Sequence, residues 1–255
     1  MIELYGMSSP NVRKVLIALE EMALDYEVRH VAVFRGHQFE EDFLALNPMA
    51  KVPVICDPEG PAGVEPIFES GAILVYLAEN YGGQFLPLAG PERYAVLKWL
   101  FMQVANVGPA IGTHNHFSRI AEDNEYAAGR YRRMTAQVFR ALDRRLGEAA
   151  FLGGEAYSIA DMATYPWALR YRRFGMQDAE CPHLVAWVDG ISKRPAIAAS
   201  DKAIKRLGEQ DSKDVKTATP EEMAKFSGKH IAAPSAEEAG RLPSWWAGRG
   251  EASGD

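Results

Sequence analysis

Residues 1 to 14 read MIELYGMSSPNVRK, and this stretch decides how the first part of the chain is expected to fold. The apolar segment at residues 2 to 6 predicts a short β-strand, and the segment after Pro10 has apolar residues at helical spacing. Proline is favoured at the first position of a helix, so Ser9 is the predicted N-cap. Redox proteins of one common architecture carry a Cys-x-x-Cys pair at this junction, whereas this chain has serine and asparagine there.

The first 80 residues alternate strand and helix patterns in the order β-α-β-α-β-β-α. Two strands linked by a helix are expected to be parallel, and two strands linked by a short loop must be antiparallel. The order therefore predicts an α/β thioredoxin-like domain with a mixed four-stranded sheet, which we assign to residues 1–83.

The helical period dominates from residue 91 to residue 207, which predicts an all-α C-terminal domain. Within it, Pro109 is expected to bend the first helix, and Ser158 with Asp161 is typical of a capping box. The predicted helices span residues 91–117, 123–147, 158–173, 183–193 and 195–207.

The chain becomes polar after residue 207. Residues 208–255 are rich in charged residues and end in a segment with many prolines, glycines and serines, which predicts a poorly packed extension. Within this extension, the adjacent Trp245 and Trp246 are expected to dock against another part of the molecule.

Composition and charge restrict the class of protein. Residues 1–80 contain 5 Lys and Arg against 13 Asp and Glu (net −8), and residues 81–200 contain 14 against 11 (net +3). The whole chain has a net charge of −6, which argues against a nucleic-acid partner, since phosphate binding requires a surplus of cations. The sequence has no apolar run long enough for a membrane span and no signal-peptide pattern, so we expect a cytoplasmic protein without a membrane partner.

Cysteine and histidine positions do not favour a metal site. Cys56 and Cys181 are the two cysteines of the chain and do not form a Cys-x-x-Cys motif, so both are expected to be ordinary thiols. His114 and His116 are two residues apart on a predicted helix and so face different directions, which favours surface or pocket-lining histidines over a metal pair.

Three stretches could form one binding site. At the first, Ser9 and Asn11 could simply cap a helix, but the positive end of that helix could equally stabilise a thiolate. At the second, Pro53 opens a strand where a thioredoxin-like sheet is expected to carry a cis peptide bond, although trans is the default for an isolated Val-Pro pair. A cis bond there would leave the backbone of Val52 free to pair with an extended ligand.

The third stretch is Glu69-Ser70, where another helix is predicted to begin. Capping by Ser70 is the simpler interpretation. A helix N-terminus also binds carboxylates, and the neighbouring Glu69 could hold an ammonium group. A ligand with an α-amino acid end would satisfy both groups, and glutathione has such an end, an extended middle and a thiol.

With these three sites in one order, the chain resembles the glutathione transferase superfamily, and it is most similar to the Nu class of bacterial disulfide-bond oxidoreductases. The similarity covers residues 1 to about 207. The stretches that carry it include SPNVRKVLIALEE, GHQFEEDFLALNP, KVPVICD, EPIFESGAILVYLAENYG, LKWLFMQVANVGPAIG and FLGGEAYSIADMATYPW.

The resemblance implies a role for particular residues. Ser9 and Asn11 would flank the glutathione sulfur as the catalytic residues, and Glu69 with Ser70 would hold the γ-glutamyl end. The remaining residues that it implies in glutathione binding are Gln38, Lys51, Val52, Pro53, Tyr126 and Arg130, the last two of which would line the second half of the site. Glutathione would be the cosubstrate, and the resemblance also implies a homodimer.

Several functions remain open at this point. The leading one is a glutathione transferase with disulfide reductase activity that uses a bound glutathione thiolate and no protein cysteine. An alternative is attack on an electrophilic carbon, either conjugation or aryl-ether cleavage. Another is a non-catalytic interaction module of the same fold. A cysteine-based thioltransferase, as in the Omega class, is disfavoured because no cysteine lies at the helix start.

Overall fold

The computed structural model describes residues 1–61, 63, 65–119 and 124–228. Its sheet has the strand order β2-β1-β3-β4, with β1 parallel to β2 and β3 antiparallel to both of its neighbours. This topology confirms the predicted mixed four-stranded sheet. The strands are β1 (Ile2–Gly6), β2 (Tyr26–His30), β3 (Val54–Cys56) and β4 (Ile67–Phe68).

The helices divide into those that cover the sheet and those that form the C-terminal region. The first three alternate with the strands as predicted, and the region after Gly90 is mostly helical, which confirms the predicted fold class. The helices are α1 (Pro10–Glu21), α2 (Glu41–Leu46), α3 (Ser70–Tyr81), α4 (Gly90–Met102), α5 (Gly108–Arg119), α6 (Glu125–Glu148), α7 (Ile159–Ala168), α8 (Pro182–Ser192), α9 (Pro195–Thr217) and α10 (Pro220–Ser227).

Helix α1 lies at the centre of the molecule. It packs against α3 on the sheet side and against α7 and α9 of the helical region. A helix that contacts structure on several sides must be apolar on several sides, and residues 15–19 (VLIAL) are all fully buried. The sheet and the helical region therefore share one hydrophobic core, which also includes Leu4, Leu74 and Phe139.

Just before Pro109, where a bend is predicted, the chain forms a π-helical turn. Helix α4 ends at Met102, residues Gln103–Val107 form the π turn, and α5 begins at Gly108. Proline has no backbone N–H and its ring crowds the carbonyl four residues earlier, so the preceding turn widens. The turn matters for the site because it carries the fully buried Gln103.

Other helix boundaries agree with the predictions more closely. Helices α6 and α8 match the predicted ranges to within two residues. The range predicted as one helix at 158–173 is divided in the structure into α7 and a separate 3₁₀ turn, Tyr171–Phe174, which ends one residue beyond it. The capping box of α7 is confirmed. The backbone N–H and the hydroxyl of Ser158 both donate to the carboxylate of Asp161.

The predicted end of the last helix at residue 207 is wrong. Helix α9 continues to Thr217, and its added turns contain the buried Asp211. The expectation of poor packing is also wrong as far as residue 228, because α10 lies against the turn at Val33–Arg35, where the rings of Phe34 and Phe226 are 4.5 Å apart. Polar contacts, including those of Asp211 and Glu222, hold much of the segment from residue 208 to residue 228. The hydropathy of the sequence therefore did not indicate that this segment is packed.

The rest of the predicted extension, with Trp245 and Trp246, lies outside the described residues. The division of the chain at residues 83, 91 and 207 stays a prediction. Across the described part of the chain, no helix is both long enough and apolar enough to cross a lipid bilayer.

Candidate active site

The N-terminus of α1 has the predicted cap. Ser9 has extended backbone angles, and its Oγ accepts a hydrogen bond from the N–H of Val12 at 3.2 Å, while Pro10 occupies the first helical position. A hydroxyl group has one hydrogen and can accept and donate at the same time. The O–H of Ser9 is therefore left to donate to an anion at the positive end of the helix.

Asn11, in the first turn of α1, is held by the helical region. Its Oδ1 lies 3.2 Å from Nε1 of Trp167, near the end of α7. The indole nitrogen can only donate, so the oxygen of the amide must face it. The NH₂ group of Asn11 is the end of the amide that remains for a ligand.

The loop before β3 contains the predicted cis bond, between Val52 and Pro53. Asn47 holds this loop in place: its Nδ2 donates to the carbonyl of Lys51 at 2.7 Å, and its Oδ1 accepts from the N–H of Met49 at 3.0 Å. Lys51 is exposed, Val52 is half-buried and Pro53 is buried. The loop thus presents a cation and a backbone segment from a fixed position.

Glu69 and Ser70 form the start of α3. Glu69 is exposed and has φ 67° and ψ 109°, a region that a side chain with a Cβ seldom adopts. Such a conformation persists only where the surroundings enforce it, and it is frequent at ligand sites. Ser70 is buried at the first position of the helix.

A buried lysine, which the sequence analysis did not single out, supports Ser70. Nζ of Lys14 lies 3.2 Å from Oγ of Ser70 and 2.6 Å from Oε1 of Gln103, and the residue is 2% exposed. Burial lowers the pKa of Lys14 to about 7, although the nearby Glu69 carboxylate opposes this change. The sequence indicates this buried lysine only weakly, by the position of Lys14 directly before the apolar run at residues 15–19.

Gln38 lies in the 3₁₀ turn at His37–Phe39, between the sheet and α2. The side chain is 4% exposed, and its Oε1 is buried without a hydrogen-bond partner among the described residues. A buried acceptor of this kind is costly unless a ligand or water satisfies it.

Tyr126 and Arg130 are not joined to this cluster by any hydrogen bond among the described residues. Both are exposed on the first two turns of α6, and among the described residues neither bonds to the groups at the starts of α1 and α3. Their role in the second half of the site stays a prediction.

Helix α9 also holds the loop that precedes Ser9, a contact that the sequence analysis missed. The carboxylate of Asp211 accepts bonds from the Ser8 N–H, at 2.9 Å, and from the Ser8 hydroxyl. Its other oxygen lies 2.9 Å from Nε2 of His30, which is 3.6 Å from Asp214. These three residues form a cluster of potential metal ligands, and Asp211 uses its carboxylate to join α9 to the loop.

The two cysteines lie elsewhere. Cys56 is half-buried on β3, Cys181 is buried before α8, and both are free thiols. Burial raises the pKa of both, so each thiol stays protonated near neutral pH. Of the pair His114 and His116, His114 is buried against the ring of Phe174, with 5.2 Å between ring centroids.

Comparison with known proteins places the chain in a family. Residues 8–80 match the family model for the glutathione S-transferase N-terminal domain, and residues 111–195 match the model for the C-terminal domain. The disulfide-bond oxidoreductase YfcG of Escherichia coli is 42% identical over 199 residues, which cover 77% of this chain and 92% of that protein. This chain belongs to the glutathione S-transferase family. The predicted resemblance is thereby confirmed.

Solved structures of other family members have the same fold as this glutathione S-transferase. A glutathione transferase family member from Pseudomonas fluorescens, described with two glutathione bound, has a TM-score of 0.72 and 34% identity, covering 78% of this chain and 91% of its own. A glutathione transferase from Pseudomonas putida, with one glutathione disulfide per subunit, has the same TM-score and identity and covers 78% and 90%.

Proposed function

We propose that this family member is a glutathione-dependent enzyme that reduces disulfides with a bound glutathione thiolate and no protein cysteine. The observation that carries the proposal is the pair of donors at the start of α1. Ser9 and Asn11 each have their acceptor atom engaged inside the protein, which leaves the O–H of one and the NH₂ of the other for an anion.

The energy that this site must supply is modest. Lowering a thiol pKa from about 8.5 to about 6.5 requires about 2.7 kcal/mol of preferential stabilisation of the anion. A hydrogen bond to a charged group contributes about 1.5–3 kcal/mol, and a helix N-terminus adds up to about 1 kcal/mol. Two donors at the N-terminus of α1 therefore suffice.

The remaining groups fit the rest of glutathione. The carboxylate of Glu69 suits the γ-glutamyl ammonium group, and Ser70 at the N-terminus of α3 suits the adjacent carboxylate. The backbone of Val52 beside the cis bond suits the cysteinyl residue, and the exposed Lys51 suits the glycyl carboxylate. Gln38 offers a buried amide whose oxygen has no partner among the described residues.

The reaction then follows thiol–disulfide exchange. The glutathione thiolate attacks one sulfur of the substrate disulfide, a new S–S bond forms, and the other sulfur leaves as a thiolate that takes a proton from solvent. A second glutathione thiolate attacks the mixed disulfide at its glutathione sulfur, which yields glutathione disulfide and releases the second substrate thiol. We assign the second glutathione to the region of Tyr126 and Arg130. Support comes from relatives named disulfide-bond oxidoreductase and from neighbours described with two glutathione or glutathione disulfide.

Kinetics with several substrates test this proposal. We expect glutathione binding by calorimetry, and turnover of hydroxyethyl disulfide that exceeds conjugation of chlorodinitrobenzene or cleavage of an aryl ether. The reverse order would favour attack on carbon, and binding without turnover would favour an interaction module. A protein that fails to bind glutathione at millimolar concentration would refute both enzymatic functions.

Cysteine variants separate the proposed mechanism from a protein-thiol mechanism. Cys56→Ser with Cys181→Ser should retain disulfide reductase activity, because neither thiol lies with Ser9 and Asn11 and burial raises the pKa of both. A folded double variant without activity would contradict the proposal.

We also propose a cytoplasmic homodimer. An apolar groove of about 500 Å³ runs between α3 and α4, next to Glu69, and is lined by residues that include Val75, Leu100 and Phe101. Phe101 is 64% exposed, and a second copy would cover it. Phe101→Glu is expected to give a monomer by light scattering, whereas Leu88→Glu, at a position 85% exposed outside the groove, should not change the mass.

A further inference from the structure

The hydrogen bond between Asn11 and Trp167 links the proposed thiolate site to the helical region. Asn11 is in the first turn of α1, and Trp167 is 156 residues later, near the end of α7. An asparagine amide has an acceptor end and a donor end of nearly the same shape, so either end can face a ligand unless a neighbour selects one. The end that faces the ligand decides whether Asn11 attracts or repels an anion.

Trp167 is a neighbour that selects one orientation. Its Nε1–H can only donate, and it lies 3.2 Å from Oδ1 of Asn11. Rotating the amide would place its NH₂ group against the indole N–H, where two donors face each other and no bond forms. The other end of Asn11, with its two N–H groups, then points away from the indole.

The indole is itself held in place. A Cβ atom at Gly108 would lie 3.7 Å from the indole, and one at Gly112 would lie 3.6 Å from it, so the ring packs against these two glycines, one turn apart on α5. The ring is half-buried between α5 and α1. The position of its N–H is therefore set by packing with α5.

From these contacts we infer that Trp167 is a positioning residue of the thiolate site. It acts through Asn11: its N–H fixes the amide so that the NH₂ group, and not the carbonyl oxygen, faces the glutathione sulfur. This inference rests on the proposed function, because it takes the sulfur to lie at the start of α1. The role is orientation, and Trp167 itself need not touch the ligand.

Trp167→Phe tests the inference, because phenylalanine keeps an aromatic ring on the glycine face and removes the N–H. The thiolate absorbs near 240 nm, so the pKa of bound glutathione can be measured directly by a pH titration of the complex. We expect this pKa to rise by about 0.5 to 1 unit in the variant, which is a three- to tenfold loss of thiolate at a pH below both pKa values.

The pH profile distinguishes orientation from a general loss of structure. At pH values below the thiol pKa, the disulfide reductase kcat of Trp167→Phe should be three- to tenfold lower than that of the wild type. At pH values above the thiol pKa, glutathione ionises without help, so the two kcat values should approach each other. The KM for glutathione should stay within twofold. A uniform loss of kcat at every pH would indicate a structural role and overturn the inference.

A double-variant cycle with Asn11→Ala provides the second test. If Trp167 acts through Asn11, then Trp167→Phe should leave the thiol pKa unchanged once Asn11 is alanine. Trp99→Phe is the matched control, since the half-buried Trp99 has no hydrogen-bond partner for its Nε1 among the described residues.

The outcomes also separate this inference from the proposed function. A raised thiol pKa in Asn11→Ala together with an unchanged one in Trp167→Phe would overturn the inference and leave the proposed function in place. Additive effects in the double variant would overturn it as well. A wild-type protein that does not bind glutathione, or that does not lower its thiol pKa, would overturn both.

Discussion

The two ends of α7 use the same type of donor for different purposes. At its start, the buried Asp161 accepts a hydrogen bond from an indole N–H, that of Trp187, at 3.0 Å. Toward its end, Trp167 donates its indole N–H to Asn11 at 3.2 Å. The first bond lies in the interior of the helical region, and the second reaches the start of α1.

The difference lies in how fully each group is satisfied. The carboxylate of Asp161 has donors on both oxygens, from Leu152, Ser158 and Trp187, and the residue is 0% exposed. Within the described part of the chain, the side chain of Asn11 has one partner, the indole of Trp167, and the two N–H groups of its amide have none. A fully satisfied buried group stabilises the fold, and a partly satisfied group at a helix N-terminus is available to a ligand. One short helix therefore contributes stability at one end and site geometry at the other.

The largest expected effect is at the satisfied end. Asp161→Ala removes an acceptor that four donors share, and these donors would be left buried without partners. We expect the free energy of unfolding in urea to fall by about 4 kcal/mol, in the range for breaking a buried charged network. Asp189→Ala, at an exposed position on α8, is the control and should change the free energy of unfolding little. A variant of Asp161 as stable as the control would show that the network is not structural.

The buried charge of Lys14, next to Ser70, should make the stability of the protein depend on pH. Below about pH 7, Lys14 is charged in both the folded and the unfolded chain, so folding carries the full cost of burying the charge. As the pH rises above 7, the folded protein releases this proton while the unfolded chain keeps it up to about pH 10.4, so stability rises.

Lys14→Met removes this titration and provides the comparison. The free energy of unfolding of the wild type, relative to the variant, should increase by about 1.4 kcal/mol per pH unit, or about 3 kcal/mol from pH 8 to pH 10. Lys98 is exposed on α4, so Lys98→Met is the control and should keep the pH dependence of the wild type. Parallel pH curves for the wild type and Lys14→Met would contradict the shifted pKa of Lys14.

The sequence predicts those features of the fold that neighbouring residues determine. The cap by Ser9 and the capping box of Ser158 and Asp161 involve residues three apart, and the relative directions of consecutive strands follow from the connections between them. Each of these features is local, so periodicity and cap residues are sufficient to find it.

Contacts between distant residues could not be predicted in this way. Lys14 meets Gln103 over 89 residues, Asn11 meets Trp167 over 156, and Ser8 meets Asp211 over 203. Each is a polar contact that depends on how the helical region packs against α1. The contact between Ser8 and Asp211 also explains why the predicted end of α9 at residue 207 is wrong. A buried aspartate within a polar stretch of sequence cannot be told from a surface residue.

The central claim is that this protein binds glutathione as a thiolate at the start of α1, and it can be tested most directly by measuring the thiol pKa of bound glutathione at 240 nm. We predict a thiol pKa of about 6.5 in the wild type and a return toward about 8.5 when Ser9→Ala and Asn11→Ala are combined. Ser192→Ala with Asn80→Ala, at exposed positions on α8 and in the last turn of α3, should keep the wild-type value. A wild-type value at or above about 8.5, or no difference between the wild type and the Ser9 and Asn11 double variant, would contradict the claim.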